Sequence, residues 1–83
     1  MIHVAIHPHA RARLAERGAT EAEVIETVRL GKRVPAKFGR TGFRRVFPFH
    51  DLWRGRRYAH KQIDAFAVEE DGWLVITVVV RYY

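Results

Sequence analysis

Eighty-three residues, 48% of them hydrophobic and 12% aromatic, suffice for one modest core and exclude both a two-domain chain and a disordered one. The absence of cysteine excludes disulfides, thiolate zinc sites and a cysteine nucleophile, and suits a reducing cytoplasm. Fifteen Lys and Arg against nine Asp and Glu give a formal net charge of +6, and no apolar run approaches the length of a membrane span.

The chain begins with no signal-peptide pattern, so a cytoplasmic location is expected. Residues 2–6 (IHVAI) read as a short strand or an extended lead-in. Helix one is expected from Pro8 to Arg17, with Pro8 in its first turn and Gly18 as its stop. His9, Arg13 and Arg17 recur every four residues and so share one side of that helix. The row drifts toward the stripe of Ala10 and Leu14, which brings Arg17 within about 20° of Ala10 around the axis. A histidine and an arginine are thus aimed at the seam between helix and core.

Helix two opens with Thr20-Glu21-Ala22-Glu23, where Thr20 caps and Glu23 completes a capping box. Val24, Ile25 and Val28 supply its apolar face and Gly31 closes it, while Glu21, Glu23 and Glu26 complement the helix dipole. After Pro35 the pattern alternates, predicting strands over 33–38 and 43–49 joined through FGRTGF. Residues 50–59 read as a loop or irregular edge. The strongest strands are 60–70 and 73–82 around a two-residue Asp71-Gly72 turn.

If Glu70 pairs with Trp73, one face of that hairpin holds Ala67–Ile76, Ala65–Val78, Ile63–Val80 and Lys61–Tyr82. The other holds Val68–Val75, Phe66–Thr77, Asp64–Val79 and Gln62–Arg81. The first is the expected helix-covered face, and the second is the open one. Alternation puts Arg45 on one face with Phe43, Phe47 and Phe49, and Arg45 is grouped with Thr77 and Arg81 on the open side. The expected fold is α+β, a single domain over 1–83. Two N-terminal helices pack on a four-stranded, mainly antiparallel, twisted sheet.

Ten basic residues lie between Lys32 and Lys61, opposed only by Asp51. Such a segment points to a polyanionic partner, nucleic acid before membrane, against the plainer reading of a solvated basic surface. Arg44, Arg54, Arg56, Arg57, Lys37 and Arg40 are the candidate contacts to RNA phosphates.

Four stretches carry a resemblance: His9-Ala10-Arg11 through Arg17-Gly18, Thr20 to Val24, Phe43 to Val46, and Ile76 to Tyr82. Together they resemble the bacterial family catalogued as "domain of unknown function 4258", over almost the whole chain. That family is grouped with the barnase, EndoU, colicin and RelE-like nuclease fold, which includes ribonuclease toxins of toxin–antitoxin systems. The resemblance implies two helices against an antiparallel sheet, RNA cleavage by analogy, and His9, Arg17, Lys61 and Thr77 as site residues.

Metal-independent RNA cleavage needs a proton taken from the 2′-hydroxyl, a proton given to the leaving oxygen, and charge on phosphorus stabilised. Histidine suits the proton transfer, and lysine and arginine the phosphate. Two sites compete. One is the helix row of His9 with Lys61; the other is the open face with Arg45, Arg81 and Thr77. They merge only if the sheet is strongly twisted or a bulge reverses the alternation. RelE-like relatives place RNA on the open face, which is the expected binding surface, and Arg17 then reads as a structural partner of a helix-two carboxylate.

His7 and His9 with His3, His50 or His60 lack any recognised ligand spacing, so neither metal nor cofactor is expected. The combined reading is an RNA-binding domain and metal-independent endoribonuclease toxin. The alternatives are a non-catalytic single-stranded RNA binder and a module docking an acidic, antitoxin-like protein.

Overall fold

Period-two alternation governs most of the chain, and the backbone follows it. The computed structural model describes residues 3–83; the expectation for Ile2 lies outside them. The elements are β1 (Val4–Ile6), α1 (Pro8–Arg11), α2 (Leu14–Arg17), α3 (Glu21–Leu30), β2 (Lys32–Val34), β3 (Thr41–Trp53), β4 (Arg56–Glu69) and β5 (Trp73–Tyr82). The strands form one sheet in the order β1-β5-β4-β3-β2, with β1 parallel to β5 and the other neighbours antiparallel.

This corrects the expected two helices on a four-stranded, RelE-like sheet: three short helices accompany a five-stranded mixed sheet among the described residues. Three physical reasons account for the difference. Val4 and Ile6 are buried, and their strand pairs with Trp73, Leu74 and Val75 rather than trailing as a lead-in. Helix one breaks at Ala12–Arg13, where the Arg13 N–H bonds the carbonyl of Ala10 (3.1 Å), a three-residue closure tighter than the α repeat. Finally, residues 50–59 are no loop, because β3 and β4 continue to a two-residue turn at Arg54-Gly55. Both turn residues have positive φ (52° and 82°), as a type I′ hairpin demands.

Helix α3 forms as its sequence dictates. The Thr20 hydroxyl accepts from the Glu23 N–H (3.1 Å), and the Glu23 carboxylate accepts from the Thr20 N–H (3.0 Å). Val24 and Val28 are buried, joining Ala10 and Leu14 over Phe43, Ile63, Ala65, Ala67, Val75 and Val78. Alanines at 65 and 67 let the helices lie close to the sheet.

Residues 61–66 pair with 77–82 in the expected register. At Ala67 the partner becomes Val75 rather than Ile76, and Glu69 rather than Glu70 faces Trp73. The turn is therefore three residues long, and Ile76 is the extra residue of a β-bulge. Gly72 (φ 100°) is required here, because a Cβ would collide with the carbonyl of His3. That carbonyl accepts the Trp73 N–H at 2.8 Å. Arg45 faces Ile63, so it belongs to the helix-covered face, and its assignment to the open side is corrected. Arg44, opposite Asp64, takes the open side instead.

Candidate functional site

A regular strand would send Ile76 and Thr77 to opposite faces. The bulge breaks that alternation, so that Val75 and Val78 are both buried on the helix side while Thr77 keeps its place opposite Phe66. Ile76, Thr77 and Val78 of β5 line a cleft of about 150 Å³ with His9 and Ala10 from α1, Arg13 from the break, and Arg17 from α2. The lining residues thus include one histidine and two arginines, with no Asp or Glu among them.

Each side chain is held by local chemistry. The His7 Nδ1 accepts the His9 N–H (3.1 Å), capping α1. The His7 N–H donates to the Val75 carbonyl (2.9 Å), pinning the helix start beside the bulge. His9 itself is exposed. Arg17 is half-buried and donates from Nη1 to the carbonyl of Val78, the residue after Thr77. Arg13 forms only a long, exposed pair with Glu16 (3.7 Å). Exposed pairs of this kind contribute little, so the group remains available to a ligand.

Of the residues expected to act together, His9, Arg17 and Thr77 meet at this cleft. Lys61 does not line it. Its side chain is 8% exposed, and its Nζ donates to the Gly18 carbonyl (3.0 Å) and the Glu23 carboxylate (2.9 Å) while lying over the Phe49 ring. The helix-two carboxylate expected to pair with Arg17 thus pairs with Lys61. Arg45 pairs with Glu26 at 2.8 Å and lies over Phe47. Arg81 is exposed opposite Gln62, away from the cleft lining. Arg44 grips buried Asp64 through two bonds (2.8 and 2.9 Å), and that hydrogen bonding and charge raise its pKa, locking it as a cation.

The basic segment is divided between two ends of the molecule. Lys37 and Arg40 lie in the loop before β3, while Arg54, Arg56 and Arg57 lie beyond its far end. Thirteen residues of strand separate them, roughly 40 Å at the usual rise per residue. That is about the longest dimension of the molecule, 39 Å.

Sequence reasoning missed the aromatic cluster that folds the hairpin tip onto α2. Tyr82 stacks on Trp53 (5.1 Å between centroids) and meets Phe49 and Tyr58 edge-on or tilted. Its hydroxyl donates to the carbonyl of Arg17 (3.1 Å), and burial raises its pKa. The signal was Gly18 itself: at φ 76° it ends α2, and a Cβ there would collide with Tyr82 and Trp53. A second concavity, about 800 Å³, runs between α3 and the sheet, lined by Ile25, Leu30, Arg33, Phe43 and Trp73 among others.

Among the described residues no three His, Cys, Asp or Glu side chains cluster to hold a metal, and no helix is long and apolar enough to cross a membrane. Compared with protein-family models, curated proteins and solved structures, the chain shows no match.

Proposed function

We propose that this chain binds single-stranded RNA, seats one backbone phosphate in the cleft beneath α1 and α2, and cleaves there without a metal. The observation that supports the reading is the cleft of about 150 Å³ beside the β5 bulge, which His9, Arg13 and Arg17 line together. Two guanidinium groups match the oxygens of a phosphodiester as bidentate donors.

His9 is the proton-transfer group. Its imidazole takes the proton of the 2′-hydroxyl as the 2′ oxygen attacks phosphorus. The bond to the 5′ oxygen breaks, and that oxygen takes its proton from the imidazolium or from water. The products are a 2′,3′-cyclic phosphate and a 5′-hydroxyl end. The resemblance to the family named above adds the setting of a toxin, in which expression arrests growth and His9→Ala relieves it.

The test is incubation of purified protein with single-stranded RNA in EDTA. The reading expects cyclic-phosphate ends, and a loss of roughly 10²–10⁴-fold in rate for His9→Ala with RNA affinity retained. Binding without cleavage would reduce the protein to a single-strand binder. No binding at low ionic strength would overturn the reading altogether.

A second reading, docking of an acidic protein, draws on the groove beside α3. Its apolar floor is overlain by Arg33, whose guanidinium lies 5.5 Å from the ring centroids of Phe43 and Trp73. Arg33→Glu would weaken such a complex and leave RNA affinity little changed.

A further inference from the structure

We infer that the β3–β4 arm, residues 49–60, and the cleft form one continuous seat for a single polynucleotide strand, the cleft holding one phosphate and the arm the strand that leaves it. This rests on the RNA reading above and extends it to the path of the ligand.

Continuity comes from the way the arm is anchored. The Arg54 Nη2 donates to the carbonyl of Glu16 (2.8 Å), one residue before cleft-lining Arg17. Trp53 stacks on Tyr82, whose hydroxyl donates to the Arg17 carbonyl. The tip of the arm is therefore seated on the helix whose last residue enters the cleft. The Glu16 carboxylate pairs with cleft-lining Arg13.

Charge singles out this end of the molecule. Arg54, Arg56 and Arg57 are exposed, and none has a carboxylate partner among the described residues. The arm's one acid is Asp51, and its Oδ1 accepts the Leu52 N–H (2.7 Å). At the opposite end Thr41 faces Ala67, so Lys37 and Arg40 share their end of the sheet with Glu69, Glu70 and Asp71. Three carboxylates thus share the end of the sheet with Lys37 and Arg40, against Asp51 alone within the arm.

The arm also offers surfaces for bases. Leu52 is 54% exposed and Tyr58 half-buried, whereas the Trp53 ring is already in contact with Tyr82 and with the Arg54 guanidinium (5.2 Å). His60 stacks on Tyr83 at 5.0 Å. Apolar and ring surfaces between arginines suit unstacked bases, which a single strand presents and a duplex hides.

The experiment compares a dinucleotide with a single RNA strand of about 12 nucleotides, inside the usual range of single-strand sites. Wild-type protein should bind the longer strand more tightly, with a steeper salt dependence. Replacing Arg54, Arg56 and Arg57 together with glutamine should erase that gain, flatten the salt slope by roughly 0.7 per lost phosphate contact, and leave dinucleotide affinity unchanged. Replacing Lys37 and Arg40 with glutamine should flatten it less. Gly18→Ala, which unseats Trp53 and Tyr82 yet keeps every cation, should lose the gain as the arginine variant does.

An arginine variant that binds the longer strand as wild type does would overturn the inference and leave the RNA reading standing. So would tighter binding to a duplex of equal length. If wild-type protein binds neither ligand, the RNA reading fails and the path fails with it.

Discussion

Lys61 holds its ammonium 2.9 and 2.8 Å from the two oxygens of Glu23, with a third contact to the Gly18 carbonyl. Its partner carboxylate also closes the capping box of α3, so one cation ties β4 to two helix ends. Removing it leaves Glu23 uncompensated, though Glu23 is 24% exposed and can recover some hydration. Lys61→Met should therefore cost about 2–3 kcal/mol, below the value for a fully buried pair. Urea unfolding measures this. Combining Lys61→Met with Glu23→Gln should cost less than the two changes summed, because they remove one shared interaction. An unchanged midpoint with lost RNA affinity would instead make Lys61 a phosphate ligand. Tyr82 supplies a pH test. Burial raises its pKa above 10.0, so near and above that pH the unfolded chain ionises first and binds fewer protons. Stability should hold below about pH 10 and fall as pH climbs through the folded-state value. Tyr82→Phe should weaken that alkaline decline, at a cost near neutrality of about 1 kcal/mol for the lost bond to Arg17.

Elements differ in how plainly their residues announce them. The cap, the box and the apolar face of α3 are all local, and the helix forms where Thr20, Glu23 and Val24 place it. The arm is not local in that sense. Its turn uses Arg54-Gly55 where Asn-Gly or Asp-Gly would be recognised, and His50 takes φ 47° inside the irregular stretch between Pro48 and Asp51. What stabilises it is a contact with Tyr82, distant in sequence. The bulge at Ile76 is equally hidden, since alternation alone cannot say which residue drops out of step. The candidate cleft was hidden for a related reason: His9, Arg17 and Thr77 could be singled out in the sequence, but only the packing of α1 and α2 against β5 brings them to one cleft. Trp53→Ala tests the element directly. It removes the stacked partner of Tyr82 and should cost about 2 kcal/mol, less than a core tryptophan because the ring is half-buried. Amide exchange should quicken along residues 49–60 and stay slow at Ile63 and Ala65. A uniform increase across the sheet would show that the arm is not a separable unit.

Across the whole molecule, the distribution of charge matters more than the net +6. In sequence the basic run of residues 32–61 precedes the acidic turn of 69–71, as if the two were separate patches. Antiparallel pairing of β3 with β4 folds that acidic turn back beside Lys37 and Arg40 and carries the arginines of the arm to the other end. The two basic groups thus stand at opposite ends of the sheet, one beside Glu69, Glu70 and Asp71 and the other seated on α2 through Arg54. A polarised field steers a polyanion toward one end, so equal changes in net charge should have unequal kinetic effects. Asp51→Asn adds one positive unit on the arm and keeps an oxygen for the Leu52 N–H. Glu70→Gln adds one unit at the opposite turn. At low ionic strength Asp51→Asn should raise the association rate with single-stranded RNA by ~2-fold, and Glu70→Gln by clearly less. Stopped-flow measurement over a salt series checks this, because a charge ~40 Å from the docking end is screened first, at about 0.01 M salt, and both accelerations should fade as the screening length falls toward ~3 Å near 1 M. Equal accelerations from both variants would mean that net charge alone governs the encounter and that the orientation of the field does not.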